Sequence, residues 1–152
     1  MFAGCSSLKS IKFPTGITSI GPSAFKKCSS LTNINIPAGV TKIESGTFYN
    51  SGITTINGAT ILKIPDQITC IESNAFWSCN SITTVKFPYN KEIEIGISAF
   101  EYCYGLKTIY MSKHSKLKNH SFRFCHSIST IYFDGTEDDW KKLRDANDYA
   151  FN

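Results

Sequence analysis

The chain is poor in charged residues and has no long apolar run. Asp, Glu, Lys and Arg make up 18% of its 152 residues against 41% that are hydrophobic, so a disordered chain is not expected. No apolar run approaches the ~20 residues of a membrane-spanning helix, and no charged start followed by an apolar stretch marks a signal peptide near Met1. The net charge of +4 comes from lysines spread thinly along the chain, which predicts neither membrane insertion nor nucleic-acid binding.

The motifs of the common enzyme classes are also missing from the sequence. It contains no G-x-S-x-G turn, Walker loop, dinucleotide fingerprint or pair of catalytic carboxylates. His114, His120 and His126 are six residues apart, which matches neither the helical spacing of a metal site nor the alternation of a strand. The sequence therefore predicts a protein that is not an enzyme and that needs no metal or other cofactor.

The sequence instead contains one unit that is repeated six times. Each unit opens on a phenylalanine, and the units are 22 to 28 residues long. The opening residues are Phe2, Phe25, Phe48, Phe76, Phe100 and Phe122. The full unit is F-x-x-C-x-S-L-x-x-I-x-F/I-P-x-x-I/V-T-x-I-x-x-x-A, and a period of this length is typical of a solenoid.

Each unit has the pattern of one coil that cannot bury its apolar side alone. The segment L-x-x-I-x-F-P predicts a short strand that ends at the proline, because proline donates no ladder hydrogen bond. Two further aliphatic residues then point inward, and stacking on the next coil buries them. We therefore expect an α/β-type solenoid of about six coils, with short parallel strands on its concave face.

The two ends of the array differ. Thr136 is expected to cap a helix whose first turn holds Glu137, Asp138 and Asp139, where acidic groups favour the helix dipole. The pattern thus predicts a solenoid over residues 1–135, then a capping helix and tail over residues 136–152, covering the last coil with Trp140 and Leu143. The first coil has no such cover. We expect the chain to be the C-terminal piece of a longer array, or to self-associate through that uncapped coil.

These residues resemble the leucine-rich repeat of the BspA-like (Treponema-type) class. The stretch CSSLTNINIPAGVTKIESGTF is close to the consensus of that class, and the resemblance runs from residue 2 to about residue 133. The tail IYFDGTEDDW is similar to the ending of many such proteins. Departures are Ser51 for cysteine, Ser112 for proline and an insertion after Ile56. The resemblance implies a parent protein on the cell surface or secreted, with a role in adhesion, but it carries over no functional residue.

The cysteines and the insertion each allow a structural interpretation. Five cysteines share one repeat position, which favours a reduced ladder inside the solenoid over disulfide bonds. They are Cys5, Cys28, Cys79, Cys103 and Cys125. Cys70 takes a position that should face solvent, so it is the candidate for a disulfide bond between two chains.

Residues 58–63 lengthen the third unit and are expected to form a loop at one edge.

The outward positions of the predicted strands are the candidate binding surface. They carry mostly Thr and Asn, with tyrosines at the C-terminal end, and tyrosine is enriched at binding hot spots. The candidate residues are Lys12, Asn35, Asn57, Lys86, Thr108, Tyr110, Thr130 and Tyr132. A protein ligand on a host or cell surface is the leading hypothesis. A glycan-binding module and a passive spacer are the alternatives.

Overall fold

A computed structural model describes residues 1–147 and 149–151, which form a parallel β-solenoid followed by a helix. In chain order the elements are β1 (Asn33–Ile34), β2 (Lys42–Ile43), β3 (Thr55–Ile56), β4 (Leu62–Lys63), β5 (Cys70–Ile71), β6 (Thr84–Lys86), β7 (Ile93–Ile95), β8 (Thr108–Met111), β9 (Ser115–Leu117), β10 (Thr130–Phe133) and α1 (Glu137–Asp145). The concave wall holds the pair β1–β3 and the sheet β4-β6-β8-β10, and the second wall holds the sheet β2-β5-β7-β9. The phenylalanine turns form a third side, here called the turn wall.

The strand-paired part of the solenoid is shorter than expected. Each of the two larger sheets contains four parallel strands, so the fold has about four fully paired turns, whereas the repeat pattern predicts about six coils. The first strand of the described chain begins at Asn33. Residues of the first coil, such as Phe2, Ile11 and Phe13, are only half buried, although they pack against the core. That coil receives packing from one side only, and its strand does not form.

A ladder of phenylalanine rings runs through the core. The phenylalanines that open the six units stack face to face from Phe2 to Phe122, with centroids 4.9–5.8 Å apart, and the four innermost are almost fully buried. A seventh ring, Phe151, stacks on Phe122 at 5.3 Å. Each ring therefore completes the packing of its neighbours, which is why one unit needs the next.

The cysteine ladder links neighbouring coils by thiol hydrogen bonds. Each buried thiol donates to the carbonyl oxygen of the phenylalanine that opens the preceding coil. The pairs are Cys28 Sγ to Phe2 O (3.1 Å), Cys79 Sγ to Phe48 O (2.9 Å), Cys103 Sγ to Phe76 O (3.1 Å) and Cys125 Sγ to Phe100 O (3.0 Å). Since only a protonated thiol can donate, this geometry requires the reduced form. Cys5 differs from these four because it is exposed.

The insertion in the third unit is partly strand, which corrects the loop expected over residues 58–63. Leu62 is fully buried and pairs with Val85, and Lys63 pairs with Lys86. The concave sheet thus restarts at β4, after a shorter loop. Asn57, at a positive φ of 55°, turns the chain into that loop.

The C-terminal segment forms the expected helix and an unexpected additional turn. Thr136 caps α1 in a capping box with Asp139, and Leu143 is buried, as the pattern predicts. Beyond the helix, Ala150 is fully buried and its carbonyl accepts the Phe122 N–H at 2.7 Å. Ala75 and Ala99 make the same bond to the preceding phenylalanines. Residues 150–151 therefore imitate the Ala-Phe step of a further coil.

Candidate functional site

The C-terminal end of the concave wall carries a short row of large side chains. Strand pairing places Lys86, Tyr110 and Tyr132 side by side on β6, β8 and β10. The Tyr110 and Tyr132 rings stack at 4.6 Å with an interplanar angle of 14°, and the Lys86 ammonium lies 5.3 Å from the Tyr110 centroid. Both faces of Tyr110 are therefore covered, whereas β10 is the last strand of its sheet and Tyr132 is 54% exposed.

The row forms one side of a shallow pocket, the tyrosine shelf, of about 200 Å³. The last residues of β8 and β10, Met111 and Phe133, and the residues that follow the strands complete it: Phe87, Pro88, Tyr89, Ser112 and Asp134. Tyr89 is 74% exposed, and the Asp134 carboxylate accepts the Lys113 N–H at 2.6 Å, which holds that loop in place. The tyrosine shelf thus combines three tyrosines with one cation and one carboxylate.

The other predicted concave residues do not all lie on the tyrosine shelf. Thr108 and Thr130 pair on adjacent strands and extend the polar surface beside it. Lys12 and Asn35 line a separate open hollow of about 470 Å³ at the N-terminal end. Asn57 does not continue the row, because its side-chain oxygen accepts the Ile36 N–H at 2.7 Å and Lys63 takes the place beside Lys86. The row predicted from the outward strand positions is therefore interrupted at Asn57.

Tyr89 and Asp134 belong to the tyrosine shelf but were not among the binding residues predicted from the sequence. Asp134 directly follows β10 and Tyr89 lies three residues after β6, outside the alternating positions that the repeat pattern assigns to the surface. Their signal in the sequence is their position within three residues of a strand end, where polar and aromatic residues reach the rim of the sheet.

The arrangement is suited to binding. Tyrosine combines a large apolar ring with a hydroxyl group, and a row of such rings contacts a ligand at a small loss of conformational entropy. In residues 1–147 and 149–151, no group of three or more His, Cys, Asp and Glu side chains is arranged to hold a metal ion.

The solvent exposure of Cys70 and Cys5 differs from the exposure predicted from the sequence. Cys70 is half buried between Lys42 and Glu94, and burial, Glu94 and Glu72 raise the pKa of its thiol. Cys5, expected inside the ladder, is exposed. A bond between two chains through Cys70 therefore remains a hypothesis, and Cys5 is a second candidate for it.

We expect iodoacetamide to modify the native protein in a fixed order. At pH 8, Cys5 should react first and Cys70 more slowly, while the four buried thiols react only on unfolding, because reactivity follows thiolate content and access. Mass spectrometry of peptides after timed quenching gives the rates. Cys70→Ser provides the control, and rapid labelling of Cys79 in the native chain would contradict the buried ladder.

The parallel coils, the internal phenylalanine ladder and the strand-lined concave wall define a leucine-rich repeat solenoid. A family model for the BspA type leucine-rich repeat region matches in six copies, over residues 1–129 and 58–152. The chain belongs to this family, whose repeat is a non-catalytic fold. No protein of curated function has a significantly similar sequence.

Solved structures of bacterial leucine-rich repeat proteins share the fold. One from T. pallidum has a TM-score of 0.70 at 22% identity, with 99% of this chain and 77% of that chain covered. One from Bacteroides ovatus has a TM-score of 0.66 at 25% identity, with 82% of this chain and 33% of that one covered. One from Eubacterium ventriosum has a TM-score of 0.58 at 22% identity, with coverage of 81% and 32%. The chain thus spans about a third of the Bacteroides ovatus protein.

In residues 1–147 and 149–151, no helix is both long and apolar enough to cross a bilayer.

Proposed function

We propose that this chain is a non-enzymatic protein-binding module, and that it serves adhesion in a parent protein displayed on the cell surface or secreted. The observation that carries the proposal is the tyrosine shelf. Its stacked Tyr110 and Tyr132 rings, flanked by Lys86 and Asp134, are held by backbone strands rather than by mobile loops. Rigid aromatic residues beside charged groups are typical of protein hot spots.

A glycan ligand is the second candidate, supported by Tyr132. A sugar ring stacks on the face of an aromatic ring, and Tyr132 has one face turned away from Tyr110. Tyr110 offers no such face because Lys86 and Tyr132 cover both sides. A single stacking face favours a protein ligand over an extended glycan chain. A third reading, a passive spacer, would leave the tyrosine shelf without a ligand.

The double substitution Tyr110→Ala and Tyr132→Ala tests the proposed site. We expect a protein ligand found for the parent to bind at least about 30-fold more weakly, since hot-spot side chains each contribute about 2 kcal/mol or more. Surface plasmon resonance with the purified chain measures this. Lys12→Ala with Asn35→Ala, in the N-terminal hollow, is the matched control and should bind almost as well as the wild type.

Three outcomes distinguish the candidates. Unchanged binding of the protein ligand by the double variant would refute the tyrosine shelf as the site. Glycan-array signals that the double variant loses, with no protein ligand, would favour the glycan reading. If deletion of the repeats leaves adhesion by the parent protein unchanged, the array is a spacer.

The uncapped first coil offers a route to self-association. Phe2, Ile11 and Phe13 are half exposed there and line a pocket of about 300 Å³ with neighbouring residues. Pairing of two copies through this end is a further part of the proposal. Light scattering in the presence of reductant measures it, and a monomeric mass at high concentration would refute it.

A further inference from the structure

A second row of aromatic side chains lies on the turn wall, away from the tyrosine shelf. Tyr49 and Trp77 stack at 4.4 Å, Trp77 meets Tyr102 edge to face at 5.0 Å, and Tyr102 stacks on Phe124 at 4.8 Å. Tyr104 contacts Tyr102 at 5.9 Å and is half exposed. We name these five residues the turn-wall patch. It crosses four successive coils and lies outside the phenylalanine core.

Two members of the patch occupy backbone positions that disfavour large side chains. Tyr102 and Phe124 have φ of 61° and 60°, in the left-handed region. The equivalent positions of the four earlier coils hold Gly4, Lys27, Asn50 and Ser78, all with positive φ, so the left-handed turn recurs in every coil. The turn itself is therefore a feature of the repeat, and what distinguishes Tyr102 and Phe124 is that the turn carries an aromatic ring there. Since neither ring belongs to the buried core, packing of the core does not explain their presence there.

Neighbouring rings and cations cover the ring faces of the patch, which leaves ring edges toward solvent. Stacking turns the ring faces of Tyr49 and Phe124 toward neighbours, and Lys26 Nζ and the Arg123 guanidinium lie 4.6 Å and 4.4 Å from their centroids. Aromatic edges carry partial positive charge. The Glu101 carboxylate is almost buried and lies 3.8 Å from Arg123. Because Glu101 offsets Arg123, it is Lys26 and the ring edges that make the open, largely apolar part of the surface electropositive.

We propose that the turn-wall patch binds an extended acidic segment of a protein partner, as a second site independent of the tyrosine shelf. The coils are stacked at ~4.8 Å, so the distance from Lys26 to Phe124 along the solenoid is roughly 20 Å. An extended segment of about six residues spans that length. Its carboxylates meet the cations and the ring edges, and its apolar side chains contact Tyr104 and Trp77. A glycan fits less well because the ring faces that it would stack on are covered.

The test is selection of peptides on the purified chain. A phage-displayed library of random 12-residue peptides is panned on the wild type and counter-selected on Tyr102→Asn with Phe124→Asn. Affinity of the recovered peptides is read from Trp77 fluorescence in a Trp140→Phe background. We expect peptides rich in Asp and Glu, binding that weakens as salt rises, and at least about a 30-fold loss of affinity in the double variant.

Thermal stability distinguishes a binding role of the Tyr102 and Phe124 rings from a structural role. Asparagine relieves the backbone strain at both positions, so the double variant should keep a Tm close to that of the wild type. The shelf variant Tyr110→Ala with Tyr132→Ala should bind the peptides normally, which separates this proposal from the proposed function. Failure to recover acidic peptides, equal binding by the double variant, or a Tm loss as large as that of a core phenylalanine variant would each overturn the proposal. Glycan-array binding that depends on Tyr102 and Phe124 would overturn it in favour of a sugar ligand.

Discussion

Replacing Phe76 by alanine is expected to lower the unfolding free energy by about 3–5 kcal/mol, the usual range for a buried aromatic residue. Phe76 is fully buried and stacks on Phe48 at 5.2 Å and on Phe100 at 4.9 Å. Removing its ring leaves a cavity between two coils and breaks the ladder in the middle. Urea denaturation followed by circular dichroism measures the loss.

The matched control is Phe2→Ala, at the end of the same ladder. Phe2 is half exposed and its one stacking partner is Phe25, at 5.8 Å. We expect a cost well below half of that for Phe76, because less area leaves water on folding and one ring contact is lost instead of two. Equal losses for the two variants would mean that the ladder does not stabilise the protein through stacking across coils.

Stability is also expected to fall steeply above pH 9, through the cysteine ladder. Burial raises the pKa of the Cys79 thiol to about 12 from an ordinary value of 9.0. The folded chain keeps this proton in a pH range where the unfolded chain loses it. The stabilisation is therefore complete below pH 9 and is lost as pH rises toward 12, by about 1.4 kcal/mol for each pH unit. Burial also raises the pKa of Cys103, but the hydrogen bond between Cys103 and Cys125 lowers the pKa of Cys125, so the expected fall is assigned to Cys79.

Cys79→Ala isolates this effect from other alkaline titrations. All other ionisable groups are the same in both chains, so the difference between the two stability profiles reports the Cys79 thiol. Between pH 9 and 11 the profile of the alanine variant should be flatter, although its stability at pH 7 is lower because the thiol bond to Phe48 O is missing. Parallel profiles in urea titrations would show that Cys79 is not protonated and buried in the folded state.

Much of the interior was predictable because each coil buries the same repeat positions against its neighbour. The phenylalanine, cysteine and aliphatic positions recur at the same place in each unit, and they are the buried positions of the inner coils. The helix cap at Thr136 was predictable for a local reason, since a capping residue and acidic first turn depend only on neighbours in sequence. Exposed positions carry no such constraint. The register of the insertion was missed because Leu62, rather than Ile56, pairs with Val85.

By itself, the sequence determined the repeat with its phenylalanine positions, the solenoid, the cysteine ladder and the capping helix, since each follows from a period or from adjacent residues. Only the tertiary structure decided which side chains meet on the surface. The turn-wall patch joins aromatic residues from different unit positions: Tyr49 and Trp77 lie one residue after the opening phenylalanine, and Tyr102 and Phe124 lie two residues after it. Ring contacts between neighbouring coils bring them into one row. The tyrosine shelf likewise depends on Tyr89 and Asp134, which strand ends place beside Tyr110 and Tyr132 through contacts between coils.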